Sequence, residues 1–531
     1  MSNKDAKSTG AKQTIEAEKK RELLKKLLQQ EKEKKQGTAQ ISKKEKLNFS
    51  LRLPGQLLPL SFAQEALWFV DKINPEQAGY NTMLPLQLLG SLDKSVLYRV
   101  LEFLQQRHEV LRSSFVETDE NVEGYDTNNT DKSAQVTVHI HDELQLPITE
   151  FNFTDDEDSL SKLGNLIQQE MRVTFDLSQA PLYRILLIKM SDTDHRLVLT
   201  IHHVISDGWS TSVLYTELCQ LYKDFAAGLQ TSLAATVQYV DYALAQRDYL
   251  TRPVFDQQLK YWKLQLNEAQ QLEIPKDNVR PSTLSYQGRC KTKMFSEQLS
   301  NAIRGISRQQ GVTVFVTMLS VFNLLMHRYS GQNDIVIGTP LMIRNSPELE
   351  RIVGLLVNMI VLRTTVKPAE VFTDFLKSNR KIVLDAQDNS DLPFDSLVKT
   401  LKPQREANAN PFFQIVFAQD MAHSPELHQD HSVEQLSIQV HDSVGASNQK
   451  VTRFDIEAYL KDDGAKLGIE FVCNQQMFDE STVVCMLDHY LYLIEQVVRQ
   501  PHIQISQLKL LNDKMIQKVL IEWNETATDY P

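Results

Sequence analysis

Residues Leu197 to Leu214 read LVLTIHHVISDGWSTSVL, and they join an apolar strand, a tight turn and a helix start through two histidines and an aspartate. From Leu197 to Ile205 only Thr200 and the two histidines interrupt a run of apolar and β-branched residues, the pattern of a strand buried on both faces. Ser206, Asp207 and Gly208 break that run. Side chains alternate along a strand, so His202 and His203 are expected to point in opposite directions, and only one of them can line a given cavity. After the turn, Ser210 or Thr211 is expected to cap a helix that runs through Leu214, Leu218, Leu221 and Phe225 and stops near Gly228.

Residue type alone also allows a pair of hydrogen-bonded core histidines, since His is of intermediate burial. A metal site is disfavoured: neighbouring strand residues that face apart chelate poorly, and no cysteine or third histidine lies close by, so no metal is expected. Read as a motif, HHxxxDG resembles the core of nonribosomal peptide synthetase condensation domains, in the chloramphenicol-acetyltransferase-like superfamily.

Other blocks carry the same resemblance. LPLSFAQEALWFV resembles the opening SxAQxRLWxL in Ser61, Ala63, Gln64, Leu67 and Trp68, with Ala66 in place of the usual Arg. Leu92 to Phe115 reads as an amphipathic helix ending in RHEVLRSSF, like RHExLRTxF; an ion pair is expected for Arg107 and for Arg112. The segment from Phe175 reads as a hairpin with its turn at Ser191 to His195, the motif strand forming the second arm. YVDYALAQ resembles YxDYAxWQ, with Ala245 at the Trp position. A long apolar helix ending at Tyr329 precedes the strand DIVIGTPLMIRNSPELERIVGLLVNMIVLR. That stretch matches IGTPxAxRxxxELExxIGxFVNxL in Gly338, Thr339, Pro340, Arg344, Glu348, Leu349, Glu350, Gly354, Val357 and Asn358. Pro393 and Phe394, then Arg405, Asn410, Pro411, Phe413 and Gln414, keep two further blocks.

The resemblance implies an α/β fold: two chloramphenicol-acetyltransferase-like lobes forming a V-shaped pseudodimer around a central tunnel. It divides the chain into a charged tail (1–48), an N-terminal lobe (57–228), a C-terminal lobe (229–500) and a linker into a following adenylation domain (501–531). It implies amide formation between a carrier-bound acyl or peptidyl thioester and the amine of a carrier-bound aminoacyl group, in nonribosomal or hybrid polyketide biosynthesis. His203 would sit beside the attacking nitrogen, His202 would hold the strand, Asp207 would fix the turn by pairing with Arg344, and Gly208 would let a pantetheine arm pass. Trp209, Ser210, Gly338 and Asn358 would line the tunnel. The chain itself would carry no cofactor; phosphopantetheine would arrive on partner carriers. The whole HHxxxDG and the SDGWS continuation look like the subtype that joins an L-donor to an L-acceptor. The alternatives are a starter domain that takes a fatty acyl donor, or an inactive platform with this fold.

Composition bounds the rest. The 531 residues are 42% hydrophobic, enough for sizeable cores. A net charge of -11 argues against nucleic acid as a partner. No apolar run is long enough to span a bilayer and no signal peptide is evident, so a cytosolic chain off the membrane is expected. The 4 cysteines have no ligand spacing and are expected to be reduced. Residues 1–48 hold 14 Lys/Arg against 7 Asp/Glu. Leu23, Leu24, Leu27 and Leu28 form a narrow stripe there, marginal as an isolated helix and suited to docking on another polypeptide. The expected partners are a donor carrier supplied by another protein, and downstream adenylation and acceptor carrier domains.

Overall fold

The computed structural model describes residues 47–525, apart from 50–51, 54, 77, 119–134, 232, 282–284, 403–409, 421–430, 434–435 and 442–448. The leucine stripe and Arg405 lie outside the described residues.

The first half builds helix α1 (Phe62–Ile73), strand β1 (Asn81–Gly90), α2 (Lys94–Arg107), β2 (Ser113–Thr118), β3 (Gln135–Ile140), β4 (Ile148–Asn152), α3 (Ser159–Glu170), β5 (Tyr183–Ser191), β6 (Asp194–His202) and α4 (Gly208–Ala226). The second half begins with α5 (Tyr239–Leu250), α6 (Val254–Gln265), β7 (Gln287–Met294), α7 (Glu297–Gln310), α8 (Val314–Ser330), β8 (Asp334–Met342) and a single turn, α9 (Pro347–Glu350). It continues through β9 (Val357–Thr365), α10 (Phe372–Asp388), α11 (Phe394–Leu401), β10 (Ile415–Gln419), β11 (His431–Val433), β12 (Leu436–Val440), β13 (Gln449–Val451), β14 (Ile456–Asp462), β15 (Leu467–Asn474) and α12 (Glu480–Arg499).

These strands form a six-stranded sheet in the order β11-β12-β1-β6-β5-β4, a seven-stranded sheet in the order β13-β7-β15-β14-β10-β8-β9, and a small β2-β3 ribbon. In the first sheet β6 lies between β1 and β5, antiparallel to both. The strand that leads into the motif is therefore central, and its residues from His195 to His202 are all buried. The seven-stranded sheet packs with α8, a helix whose residues Val316 to Met326 are buried without exception, so α8 carries no polar face along those three turns. Among the described residues no single helix is long and apolar enough to cross a membrane.

The structure departs from the sequence reading at several joints. The apolar run ending at Tyr329 is two helices, because Gly311 closes α7 in a left-handed conformation and Thr313 caps α8. The stretch from Asp334 onward is two antiparallel strands, β8 and β9, rather than one. The helix expected over Leu92 to Phe115 runs only from Lys94 to Arg107, and Ser113 opens β2. The β5-β6 turn is confined to Asp192 and Thr193. Finally, β11 and β12 extend the first sheet from residues well beyond the boundary drawn at 228/229, with β12 paired against β1 from Leu86↔Val440 to Gly90↔Leu436.

Candidate functional site

Strand β6 ends at His202, and His203 to Ile205 form one turn of 3-10 helix. The two histidines therefore separate because the backbone turns between them, not because both lie on one strand. His202 is only 4% exposed. Its Nδ1 accepts from the Val204 backbone N–H at 3.2 Å, so the ring must carry its proton on Nε2. Tyr80 and Phe175 pack against it, with ring centroids at 6.4 and 6.0 Å. Burial, then the neighbouring His203 and Arg453, push its pKa down to about 3.

His203 has the opposite arrangement. Its backbone N–H donates to Tyr80 O at 2.8 Å. Its Nδ1 lies 2.6 Å from Ser206 O, and a carbonyl can only accept, so Nδ1 carries the hydrogen and Nε2 is the basic nitrogen. Burial and the Arg453 charge lower its pKa; Asp207 and the Ser206 carbonyl oppose them without reversing the shift. A neutral imidazole with a free ring nitrogen at neutral pH is what a proton acceptor requires.

Asp207, expected to fix the turn, is the N-cap of α4: its Oδ1 accepts from Ser210 N at 2.8 Å. This corrects the assignment of the cap to Ser210 or Thr211. Arg344 Nη2 lies 2.8 Å from Asp207 Oδ1 and 2.9 Å from Oδ2, and Leu356 N donates to Oδ2 at 2.9 Å. The two side chains are 3% and 0% exposed. Arg344 Nη1 reaches the carbonyls of Leu349 and Ile352, so one guanidinium ties the 344–356 loop to the motif turn.

Other blocks converge on the same turn. Gln64 Nε2 donates to Val204 O at 3.1 Å. The Tyr239 hydroxyl lies 2.7 Å from Ser61 Oγ and donates to Leu355 O at 2.7 Å. Gly354 lies so close to that ring that a Cβ there would meet Tyr239 Cδ2 at 1.8 Å. Arg107 forks onto Glu217, which also meets His108 Nε2 at 2.7 Å. Burial works against ionisation of Glu217, but these partners outweigh it and hold its pKa below the usual range. Arg112 does not make the expected ion pair among the described residues; it donates to the carbonyls of Gln105, Gln106 and His141.

The four positions expected along a tunnel separate. Ser210 is fully buried, with Oγ within 3.0 Å of Asp207, Gly354 and Arg344 atoms. Gly338 is packed beneath Phe413, whose ring a Cβ would meet at 2.1 Å. Asn358 spends its amide on Ser390 O, Leu392 O and Phe394 N. All three are committed to packing or hydrogen bonds within the fold. Trp209 does line a cavity, of about 470 Å³, with Val213, Thr216, Arg107 and Arg351 among its neighbours, and its indole donates to Glu350 O. Gly208 is exposed at the head of α4. Among the described residues no cluster of His, Cys, Asp or Glu is suited to hold a metal.

The His202 environment carries a stability prediction. In the unfolded chain this ring titrates near 6.5 and in the fold near 3. Its contribution is therefore full above pH 6.5 and is lost as pH falls through that window, by up to about 1.4 kcal/mol per pH unit. Urea midpoints of wild type and His202→Asn, measured from pH 7 to 5, should converge as pH falls. Parallel curves would mean that this ring is not held neutral by the fold.

An α/β architecture of two sheets with an intact HHxxxDG turn clamped by an arginine from the second half defines the class. The sequence matches the Condensation domain family model over residues 55–520, and the chain belongs to that family. It is 33% identical over 476 residues to a linear gramicidin synthase of Brevibacillus parabrevis, covering 89% of this chain and 9% of that protein. It is 31% identical to malpibaldin synthetase of Mortierella alpina, over 89% of this chain and 8% of that one. The chain thus spans under a tenth of the length of these relatives. Among solved structures, a holo four-domain nonribosomal peptide synthetase bound to AMP and glycine aligns with a TM-score of 0.74 at 20% identity, covering 89% of this chain and 35% of that one. The X-domain from teicoplanin biosynthesis aligns with a TM-score of 0.74 at 22% identity, covering 88% and 100%.

Sequence reasoning missed Tyr80 and Arg453, which flank the two histidines. Neither belongs to a motif, and both reach the site from segments distant in sequence.

Proposed function

We propose that this domain joins a carrier-bound acyl or peptidyl thioester to the amine of a carrier-bound aminoacyl thioester, with an L-configured donor and acceptor, by direct transfer without an acyl-enzyme. The observation that carries this reading is His203 with Nδ1 engaged by Ser206 O and Nε2 without a partner among the described residues, its pKa lowered by burial and the Arg453 charge. A thioester is already activated, so most of the acceleration comes from holding amine and carbonyl together. His203 accepts a hydrogen bond or the proton as the amine attacks. Trp209 and the cavity beside it offer one approach for a pantetheine arm. A fold likeness alone does not separate a catalyst from a platform; the intact motif turn with its buried clamp favours the catalyst. The test is incubation with donor and acceptor carriers loaded across a panel of acyl and aminoacyl groups, reading the amide on the acceptor by mass spectrometry. No amide with any pair would reject the reading, and amide from free fatty acyl donors only would favour the starter alternative.

On the same reading, the donor carrier is supplied by another protein and residues 1–48 help to recruit it, since their balance of +7 contrasts with the acidic remainder. Deleting residues 1–48 should leave the rate with small thioester donors unchanged and raise the donor-carrier concentration for half-maximal rate several-fold. That shift should shrink as salt rises. Equal carrier dependence for both proteins would leave the segment with no docking role. Residues 501–531 would then lead into an adenylation domain.

A further inference from the structure

Arg453 enters the site from the link between β13 and β14, where Thr452 N donates to Tyr286 O at 2.9 Å. Its guanidinium stacks over the Tyr80 ring at 4.9 Å from the centroid, and Tyr80 in turn packs edge-on against Tyr286 at 6.2 Å. The same residue, Tyr80, receives the His203 backbone N–H and packs on His202, so the cation is fixed to the framework that holds both histidines.

Most buried or half-buried arginines here have a carboxylate: Arg344 has Asp207, Arg280 has Asp455, Arg363 has Asp334. Arg453 has none among the described residues. The two nearest carboxylates in sequence are already engaged: Asp455 pairs with Arg280 and Lys276, and Glu457 accepts at Oε1 from Thr452 Oγ1 and the Arg453 backbone N–H and at Oε2 from the Tyr459 hydroxyl. Arg453 Nε is sealed from solvent without a hydrogen-bond partner among the described residues, so the part of the half-buried guanidinium that can meet a substrate is its Nη pair, which has no acceptor among the described residues either. A half-buried cation with an idle donor, next to two imidazoles whose protonated forms it repels, disfavours further positive charge in the site and is suited to negative charge.

Resting on the amide-forming reading above, we propose that Arg453 is a further catalytic residue, which donates to the oxygen of the donor thioester carbonyl and stabilises the oxyanion formed as the amine attacks. In that step the nitrogen lone pair forms the C–N bond and the carbonyl π pair moves onto oxygen, opposite the guanidinium. When the carbonyl re-forms, the C–S bond breaks, and the departing thiolate takes up the proton released from nitrogen, relayed by His203. Donors placed where charge develops act without reorganising, and removing one costs on the order of 10²–10³ in rate. Arg453 also bears on the protonation of His203, together with Asp207 and the Ser206 carbonyl, and that indirect effect must be separated from the direct one.

The separating experiment uses the full chain with loaded donor and acceptor carriers, comparing wild type, Arg453→Gln and Arg453→Lys from pH 6.5 to 9. Wild-type amide formation is the control for the reaction itself; without it the functional reading fails and the arginine is not at issue. Arg453→Gln should lose about 10²-fold in kcat. KM for both carriers should stay within about two-fold and the thermal midpoint near wild type, as expected when only transition-state binding is lost. The loss should persist at pH 9, where His203 is neutral in either protein. Arg453→Lys, which keeps the charge but not the fork, should recover part of the rate. A loss that vanishes at pH 9, or a kcat for Arg453→Gln within two-fold of wild type, overturns the proposal. So does a rise in KM with kcat unchanged.

Discussion

His203→Ala is expected to lower amide formation by about 10²–10⁴-fold, the range for loss of a positioned proton acceptor, while changing stability by no more than about 1 kcal/mol, the worth of its single side-chain bond to Ser206 O. His202→Ala should do the reverse. That ring is 4% exposed, lies between Tyr80 and Phe175 and satisfies the Val204 N–H, so its removal leaves a cavity and an orphaned donor, costing about 2–4 kcal/mol. Product formation on loaded carriers and urea midpoints for both variants give the comparison. Undiminished turnover in a folded His203→Ala protein would sink the assignment of the acceptor role. The contrast is sharp because the two residues are adjacent: the 3-10 turn beginning at His203 is what sends one ring into the packing and leaves the other with a free nitrogen.

Much of this was legible in the sequence because the information is local. An apolar run broken by Ser-Asp-Gly gives a central strand, a turn and a helix, and β6 and α4 follow. What was misread locally has a local cause. Asp207 precedes Gly208 and its carboxylate reaches Ser210 N, which makes it a better cap than the serine it bonds. Gly311 followed by Thr313 is a stop and a start signal inside an otherwise continuous apolar pattern. What could not be read is long-range. The pairing of β12 with β1, the stacking of Arg453 on Tyr80 and the bridge from Tyr239 to Ser61 and Leu355 each join residues more than a hundred positions apart. No periodicity encodes them. Ser210, Gly338 and Asn358, expected along a tunnel, sit where the backbone around them needs a hydroxyl, a missing Cβ and a three-way amide.

The largest stability effect should come from the Asp207–Arg344 pair. Both side chains are essentially sealed, and between them they bind Ser210 N, Leu356 N and the carbonyls of Leu349 and Ile352. Removing one member leaves a buried, uncompensated charge, which costs about 3–5 kcal/mol. Arg344→Met should therefore lower the unfolding free energy obtained from urea melts by that amount, and Asp207→Asn by somewhat less, since the amide oxygen can still accept from a backbone N–H. The double variant Asp207→Asn with Arg344→Met should recover part of the loss, because no unpaired charge remains; two independent sites would add. Activity should fall with stability in the single variants, for the pair also fixes where α4 begins and hence the Ser206 carbonyl that sets the His203 tautomer. In the double variant the two should come apart, with stability partly restored and turnover still depressed, since an asparagine cap without its guanidinium no longer ties the 344–356 loop to the turn. Strict additivity in the urea midpoints would show that the pair is not a coupled clamp, and full recovery of turnover would show that the clamp does not position His203.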